Sequence, residues 1–339
     1  MFSTARKLEK KILSNMPNQY KRYLFNKIDY SSQLIGIVGA RGVGKTTILL
    51  QYINELKNKL SPHKSLYFSY DYPGHTDLKL IELAEEFSKQ GGEVLILDEI
   101  HKYQNFSQEL KAIYDFYPDL KVIFSGSCAS SIYNSQADLS RRVVLYKMVG
   151  LSYREFLCLK LKKKLPTFSL NEILNNNIEI IDSLENEFIP LEFFNEYLEQ
   201  GYYPFYFSNK ENYLNLLSAT INLTIDVDFV SLGLVSSSFT NKLKKLLYIL
   251  SESNPFELNI SKIAANMEVS RNTIYSYLLH LEKGGLIHPI VSSKKGLSKL
   301  AKPEKLYLNN TNMFYAYGGG TKNRYYKRDF FCFAIVRKA

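Results

Sequence analysis

Residues 34–49 read L-I-G-I-V-G-A-R-G-V-G-K-T-T-I-L, and this run decides the fold. Residues 34–38 are a short apolar stretch ending in a glycine-rich loop, as a buried strand would. Residues 47–60 then place Ile48, Leu49, Tyr52, Ile53 and Leu56 at helical spacing. Between strand and helix, residues 39–46 complete the pattern G-x-x-x-x-G-K-[ST] of a phosphate loop. Glycines let successive backbone N–H groups curl round an anion without side-chain clash. The start of the helix adds the positive end of its dipole. Lys45 is expected to neutralise the β and γ phosphates, the Thr46 hydroxyl to hold Mg²⁺, and Thr47 to cap the helix or contact the α phosphate. The expected nucleotide-binding set is Gly39, Ala40, Arg41, Gly42, Val43, Gly44, Lys45, Thr46 and Thr47, with ATP and Mg²⁺ as ligands. A glycine-rich turn followed by a chance Lys-Thr is the bland alternative, and the flanking strand and helix speak against it.

Outward from the loop, apolar runs at 65–70, 94–97, 121–124 and 143–148 alternate with helical patterns at 77–90 and 107–117. That rhythm predicts an α/β fold with a parallel sheet covered on both sides. Residues 94–99 read V-L-I-L-D-E, an apolar strand delivering two carboxylates at its carboxyl end, where such sheets bind ligands. Asp98 is expected to orient Mg²⁺, and Glu99 to polarise the water that attacks the γ phosphate. A charged strand end leading into a loop is the alternative. Residues 121–127, K-V-I-F-S-G-S, end a further strand in small polar groups. Ser125 either bonds the γ phosphate or the attacking water, or serves its own turn. Arg141 and Arg142 precede the last strand. Arg142 is either an arginine supplied across a subunit interface, which would require a homo-oligomer, or a solvated charge.

Composition excludes other classes. An apolar content of 45% over 339 residues is enough for one large core or several smaller ones. No apolar run approaches the length of a membrane span, and no apolar signal core follows the basic first residues, so a cytoplasmic protein without membrane contact is expected. Cys128, Cys158 and Cys332 lack metal-ligand or disulfide spacing. The net charge of +10 points towards nucleic acid, but five of those charges lie in residues 318–339.

Past residue 150 long helical patterns take over, at 153–160, 191–200 and 214–223. Residues 260–288 read I-S-K-I-A-A-N-M-E-V-S-R-N-T-I-Y-S-Y-L-L-H-L-E-K-G-G-L-I-H. Ile260, Ile263 and Ala264 line one helix, Val269 sits in a turn, and Ile274, Leu278 and Leu281 line a second before Gly284 and Gly285. This is the pattern of a winged helix-turn-helix. Either Ser270, Arg271, Asn272 and Thr273 face DNA, or the unit is structural or meets a protein.

G-A-R-G-V-G-K-T-T, L-I-L-D-E-I-H-K-Y, V-I-F-S-G-S, and L-S-R-R-V-V followed by L-S-Y-R-E-F-L together resemble the uncharacterised AAA+ ATPases of bacteria and archaea. In those proteins an ATPase domain is joined to a C-terminal domain that looks nuclease-like. The resemblance covers about residues 20–317 and implies ATP and Mg²⁺ binding with hydrolysis. The family's single arginine before the last strand falls on Arg142, and Arg141 stands where the family has glycine. Relatives continue with a segment like G-T-I-R-E-T-F-F. Codons permitted for residues 318–339, read one nucleotide downstream, yield such a segment. The tail is therefore expected to be frame-shifted and the nuclease-like domain missing, which the codons of the gene would decide.

The expected organisation is a helical lead-in (1–30), a P-loop ATPase core of AAA+ type (31–150), a helical lid-like segment (151–235), a winged helix (236–317) and an off-pattern basic tail (318–339). The expected function is an ATPase that couples Mg²⁺-dependent ATP binding and hydrolysis to conformational change. One rival is a nucleotide-regulated DNA-binding protein with little turnover. The other is a truncated relative that binds nucleotide only.

Overall fold

The computed structural model describes residues 2–16, 20–127, 139, 141–185, 188–252, 259–290 and 305–317. A parallel sheet of five strands occupies the first half: β1 Leu34–Gly39, β2 Ser65–Ser69, β3 Val94–Asp98, β4 Lys121–Ser127 and β5 Val143–Met148, in the order β2-β3-β4-β1-β5. All pairings are parallel, so the carboxyl ends share one edge. Gly39 stands between Ser127 and Met148 there, and Leu97 pairs with Phe124.

Strands β1 to β4 are buried almost throughout because both faces are covered, whereas β5, at the margin of the sheet, is only partly buried. Ile35, Ile37, Tyr67, Ile96 and Ile123 share a core with Ile48, Leu49 and Ile53 of α3 (Lys45–Lys59). Leu66, Phe68, Leu95, Leu97, Val122 and Phe124 pack against α4 (Leu80–Lys89) and α5 (Phe106–Phe116). Each fully buried Ile, Leu or Phe contributes about 1.5–3 kcal/mol to holding the sheet.

The lead-in has a definite task. Its α1 (Phe2–Ser14) lies along β2, the strand at one margin of the sheet. Glu9, buried, accepts the Tyr67 N–H at 2.8 Å and pairs with Lys57. Arg6 donates to the carbonyls of Pro62 (2.7 Å) and His63 (3.1 Å). A short α2 (Tyr23–Lys27) follows.

Beyond the sheet come α6 (Tyr153–Lys160), α7 (Leu170–Asn175), α8 (Asn177–Glu185), α9 (Phe194–Gln200), a 3₁₀ turn (Pro204–Phe207) and α10 (Tyr213–Leu223). The sequence pattern assigns no element to 170–185. Leu170, Leu174 and Ile178 there are largely exposed, so no buried stripe marks the two short helices. A π-helical turn, Thr224–Asp228, extends α10. Then follow α11 (Thr240–Glu252), α12 (Ile260–Asn266), α13 (Arg271–Lys283), an antiparallel pair β6 (Ile287–Ile290) and β7 (Lys305–Leu308), and α14 (Thr311–Ala316). Ile260, Ile263, Ala264, Ile274, Leu278 and Leu281 are buried. Ser270 caps α13 by accepting the Thr273 N–H at 3.0 Å. The buried residues of α12 and α13 share one continuous core with the α3 face of the sheet.

Among the described residues no helix is long and apolar enough to cross a membrane. The tail 318–339, with Cys332, and Cys128 lie outside the described residues.

Candidate functional site: the carboxyl edge of the sheet

β1 ends at Gly39, and a Cβ there would sit 2.3 Å from the Met148 carbonyl oxygen. The chain then turns through Gly42 (φ +85°) and Gly44 (φ +101°) into α3. L side chains rarely take such angles, so these two glycines are required by the path of the backbone. The loop wraps Lys45, whose buried ammonium donates to the carbonyls of Gly39 (3.1 Å) and Ala40 (3.2 Å) and lies 3.9 Å from Glu99 Oε1.

Asp98 is the hub of the edge. Its Oδ2 accepts from Thr46 Oγ1 at 2.8 Å and from the Tyr67 hydroxyl at 2.7 Å, and its Oδ1 from Ser125 Oγ. Burial, then the adjacent charge of Glu99, push the Asp98 carboxyl above its usual range, while the bonds from Ser125, Tyr67 and Thr46 favour the ionised form. The Ser125 hydroxyl also accepts the Glu99 N–H at 3.0 Å. Its hydrogen bonds therefore join β4 to the acidic end of β3. Glu99 takes φ +53°, a left-handed conformation that turns the chain away from the strand.

His101 follows in a 3₁₀ turn. Its Nδ1 accepts the Ser127 N–H at 3.4 Å and lies 3.4 Å from Glu99 Oε2. Burial, opposed by the charge of Asp228, lowers its pKa to about 4, so the ring is neutral at pH 7. Glu99 thus stands between Lys45 and His101. A cavity of about 320 Å³ opens beside these groups, lined by Arg41, Thr46, Tyr67, Asp98, Glu99 and Lys102 among others.

Several functional contacts come from residues that the sequence reading did not single out. Arg22 is buried and spans the base of the loop. It donates to the carbonyls of Val43 (3.0 Å), Val149 (2.8 Å) and Gly150 (2.9 Å), and forms a two-pronged pair with Glu155 at 2.9 Å on each oxygen. Burial works to raise the Glu155 pKa, but the hydrogen bonds and charge of Arg22 outweigh it and the net shift is downward. Glu155 also completes a capping box with Ser152 at the start of α6. That S-x-x-E spacing is the signal by which a sequence reading could find it.

Segment 201–207 closes over the loop. A Cβ on Gly42 would meet the Phe205 ring at 2.9 Å, and Pro204 approaches Gly44. Asn312 of α14 is buried behind this segment. It accepts from the Tyr202 N–H (2.8 Å) and the Tyr213 hydroxyl (2.5 Å) and donates to the Leu198 carbonyl (2.7 Å). Arg41, at the loop's crown, pairs with Asp228 of the π-helical turn. Beside Gly44, Thr47 and Ile48 a small cleft of about 40 Å³ is walled by Tyr20, Leu151 and Pro204.

Arg142 lies elsewhere. Val143 pairs with Leu34 at the start of β1, so Arg142 is at the opposite edge from Gly39, roughly 20 Å away at ~3.3 Å per strand residue. Its guanidinium grips Asp115 at 2.9 and 3.0 Å. Arg141 takes φ +73°, the region that favours glycine, at the position where the resembling family has glycine. Ser270, Arg271 and Asn272 are exposed at the start of α13.

Residues 31–157 match the family model of an AAA domain, and residues 191–324 match a domain of unknown function (DUF8612). An uncharacterized protein of Methanocaldococcus jannaschii is 28% identical over 315 residues, 87% of this chain, and the match spans 66% of that protein's length. Among solved structures, an AMPPCP-bound DnaA from Aquifex aeolicus and a DNA replication initiation factor are similar. Each has a TM-score of 0.27 and 16% identity, over 83% of this chain and 88% of theirs. The match at 31–157, on a parallel five-stranded α/β sheet, supports a nucleotide-binding protein of the AAA+ type.

Proposed function

We propose that the chain binds ATP with Mg²⁺ and hydrolyses it, using the cycle to move its C-terminal region. The observation that carries this reading is the single constellation of Lys45, Thr46, Asp98, Glu99 and Ser125 at the carboxyl edge of the sheet. Gly39 to Thr47 would cradle the phosphates, with Lys45 exchanging two loop carbonyls for phosphate oxygens. The donor set fits Mg²⁺: a threonine hydroxyl and a carboxylate 2.8 Å apart, with the Glu99 carboxylate next in the chain. Bound there, the metal would supply positive charge against the phosphate oxygens. Glu99 would orient and deprotonate water, with the Ser125 hydroxyl, which accepts the Glu99 N–H, fixing its backbone. The base would enter the cleft of Tyr20, Ile48 and Leu151, which now has the volume of about one water and must widen.

We divide the chain accordingly into the lead-in (1–30), ATPase core (31–150), lid-like helices (151–235) and winged helix (236–317). The test is steady-state ATP hydrolysis by wild type, Lys45→Ala and Glu99→Gln. Wild type is expected to turn over. Both variants should lose at least about 100-fold, with Glu99→Gln still binding ATP. A wild type that binds ATP and never hydrolyses it removes the enzyme reading.

A second reading, nucleotide-regulated DNA binding, is favoured by the exposed Arg271 and Asn272 at the start of α13. It requires salt-sensitive DNA binding that survives removal of residues 318–339.

A further inference from the structure

Arg41 occupies a variable position of the phosphate-loop pattern, yet one edge of its guanidinium is paired. Nη2 meets Asp228 Oδ1 at 2.7 Å and Nε meets Oδ2 at 3.3 Å. Asp228 is 187 positions away and its side chain is 3% exposed, whereas that of Arg41 is 31% exposed. Arg41 also lines the 320 Å³ cavity with Thr46, Asp98 and Glu99. The guanidinium therefore stands between two anionic partners, a buried carboxylate and whatever phosphate enters the cavity.

We propose that Asp228 is a positioning residue that holds Arg41 and releases it to the terminal phosphate of ATP, so that the helical region senses which nucleotide is bound. This rests on the ATP-binding reading above. The planar fork of an arginine matches a carboxylate or a phosphate in the same two-pronged way, and cannot serve both at once. When Arg41 turns to a phosphate, Asp228 loses its cation. A buried, unpaired carboxylate is strongly disfavoured, so the turn that carries it must shift to hydrate it.

That turn, Thr224–Asp228, is π-helical, a rare geometry with a locally altered register. It packs against α11, and Asp226 pairs with Lys244 of α11 at 2.5 Å. Motion of Asp228 is thereby passed to the first helix of the C-terminal unit. ADP lacks the terminal phosphate and leaves the pair intact. By reciprocity, the pair's hold on Arg41 lowers ATP affinity by the amount that ATP loosens the pair.

The experiment is titration of the full chain with fluorescent ATP and ADP analogues, beside hydrogen exchange of residues 240–252. Asp228→Asn is expected to tighten ATP at least about fivefold relative to ADP and to abolish the ATP-dependent change in exchange. Asp228→Glu should restore wild-type discrimination. Arg41→Gln, at a partly exposed position, should lose the preference for ATP and the exchange response, and decides the matter if Asp228→Asn does not fold. An unchanged ATP-to-ADP ratio in a folded Arg41→Gln or Asp228→Asn protein overturns the proposal even if Tm falls. A wild type that binds neither nucleotide overturns the ATP-binding reading, and this proposal with it.

Discussion

At the scale of single residues, the site is a set of ionisable groups taken out of water, and His101 shows what that implies. Its side chain is 2% exposed and its pKa is lowered to about 4. In the unfolded chain it titrates near ~6.5. The folded state therefore favours the neutral ring. The contribution is complete above pH ~6.5 and is lost as pH falls through 6.5 towards 4. The full shift corresponds to roughly 3 kcal/mol, of which about 2 kcal/mol disappears by pH 5. Asp98 works in the opposite sense, since its carboxyl is raised, so the wild-type curve alone does not isolate the histidine. The comparison with His101→Gln does. Urea unfolding at pH 7.5 and pH 5 should show wild type losing about 2 kcal/mol more than the variant; equal losses would mean that the ring is charged in the folded protein.

At the scale of elements, what a sequence shows depends on whether its cause is local. The inner strands β1, β3 and β4 are legible because burial on both faces writes a continuous apolar run. The phosphate loop and the acid pair after β3 are legible because their chemistry is contiguous. Arg22 and Glu155, 133 positions apart, are not, and neither are Arg41 and Asp228. A charge whose partner lies far along the chain has the same local signature as a solvated one. The same holds for α1. Glu9 reads as one acid on a basic helix, yet it is buried and satisfies an edge N–H of β2. An uncovered edge strand is a template for pairing with other chains. A chain lacking residues 1–16 is therefore expected to self-associate, with light scattering rising at micromolar concentration and Tm falling. A truncated chain that stays monodisperse with unchanged Tm would show that α1 is not the guard of this edge.

At the scale of the whole molecule, the site is one-sided. Lys45, Asp98, Glu99 and Ser125 gather at the carboxyl edge, while Arg142 sits at the other edge, held by Asp115. If Arg142 acts on phosphate, it does so on a nucleotide held by a neighbouring copy, where head-to-tail contacts would bring opposite edges together. This makes a sharp expectation for the ATPase reading. Arg142→Ala and Glu99→Gln should each be inactive alone. Mixed in equal amounts, they should regain up to about a quarter of wild-type turnover. The reason is combinatorial. In a random mixture a quarter of interfaces pair an intact Glu99 on one copy with an intact Arg142 on the next. Dilution below the dissociation constant of the assembly should abolish the recovery. An Arg142→Ala protein that hydrolyses ATP at the wild-type rate would return this arginine to the role its contacts already define, an ion pair joining α5 to the start of β5.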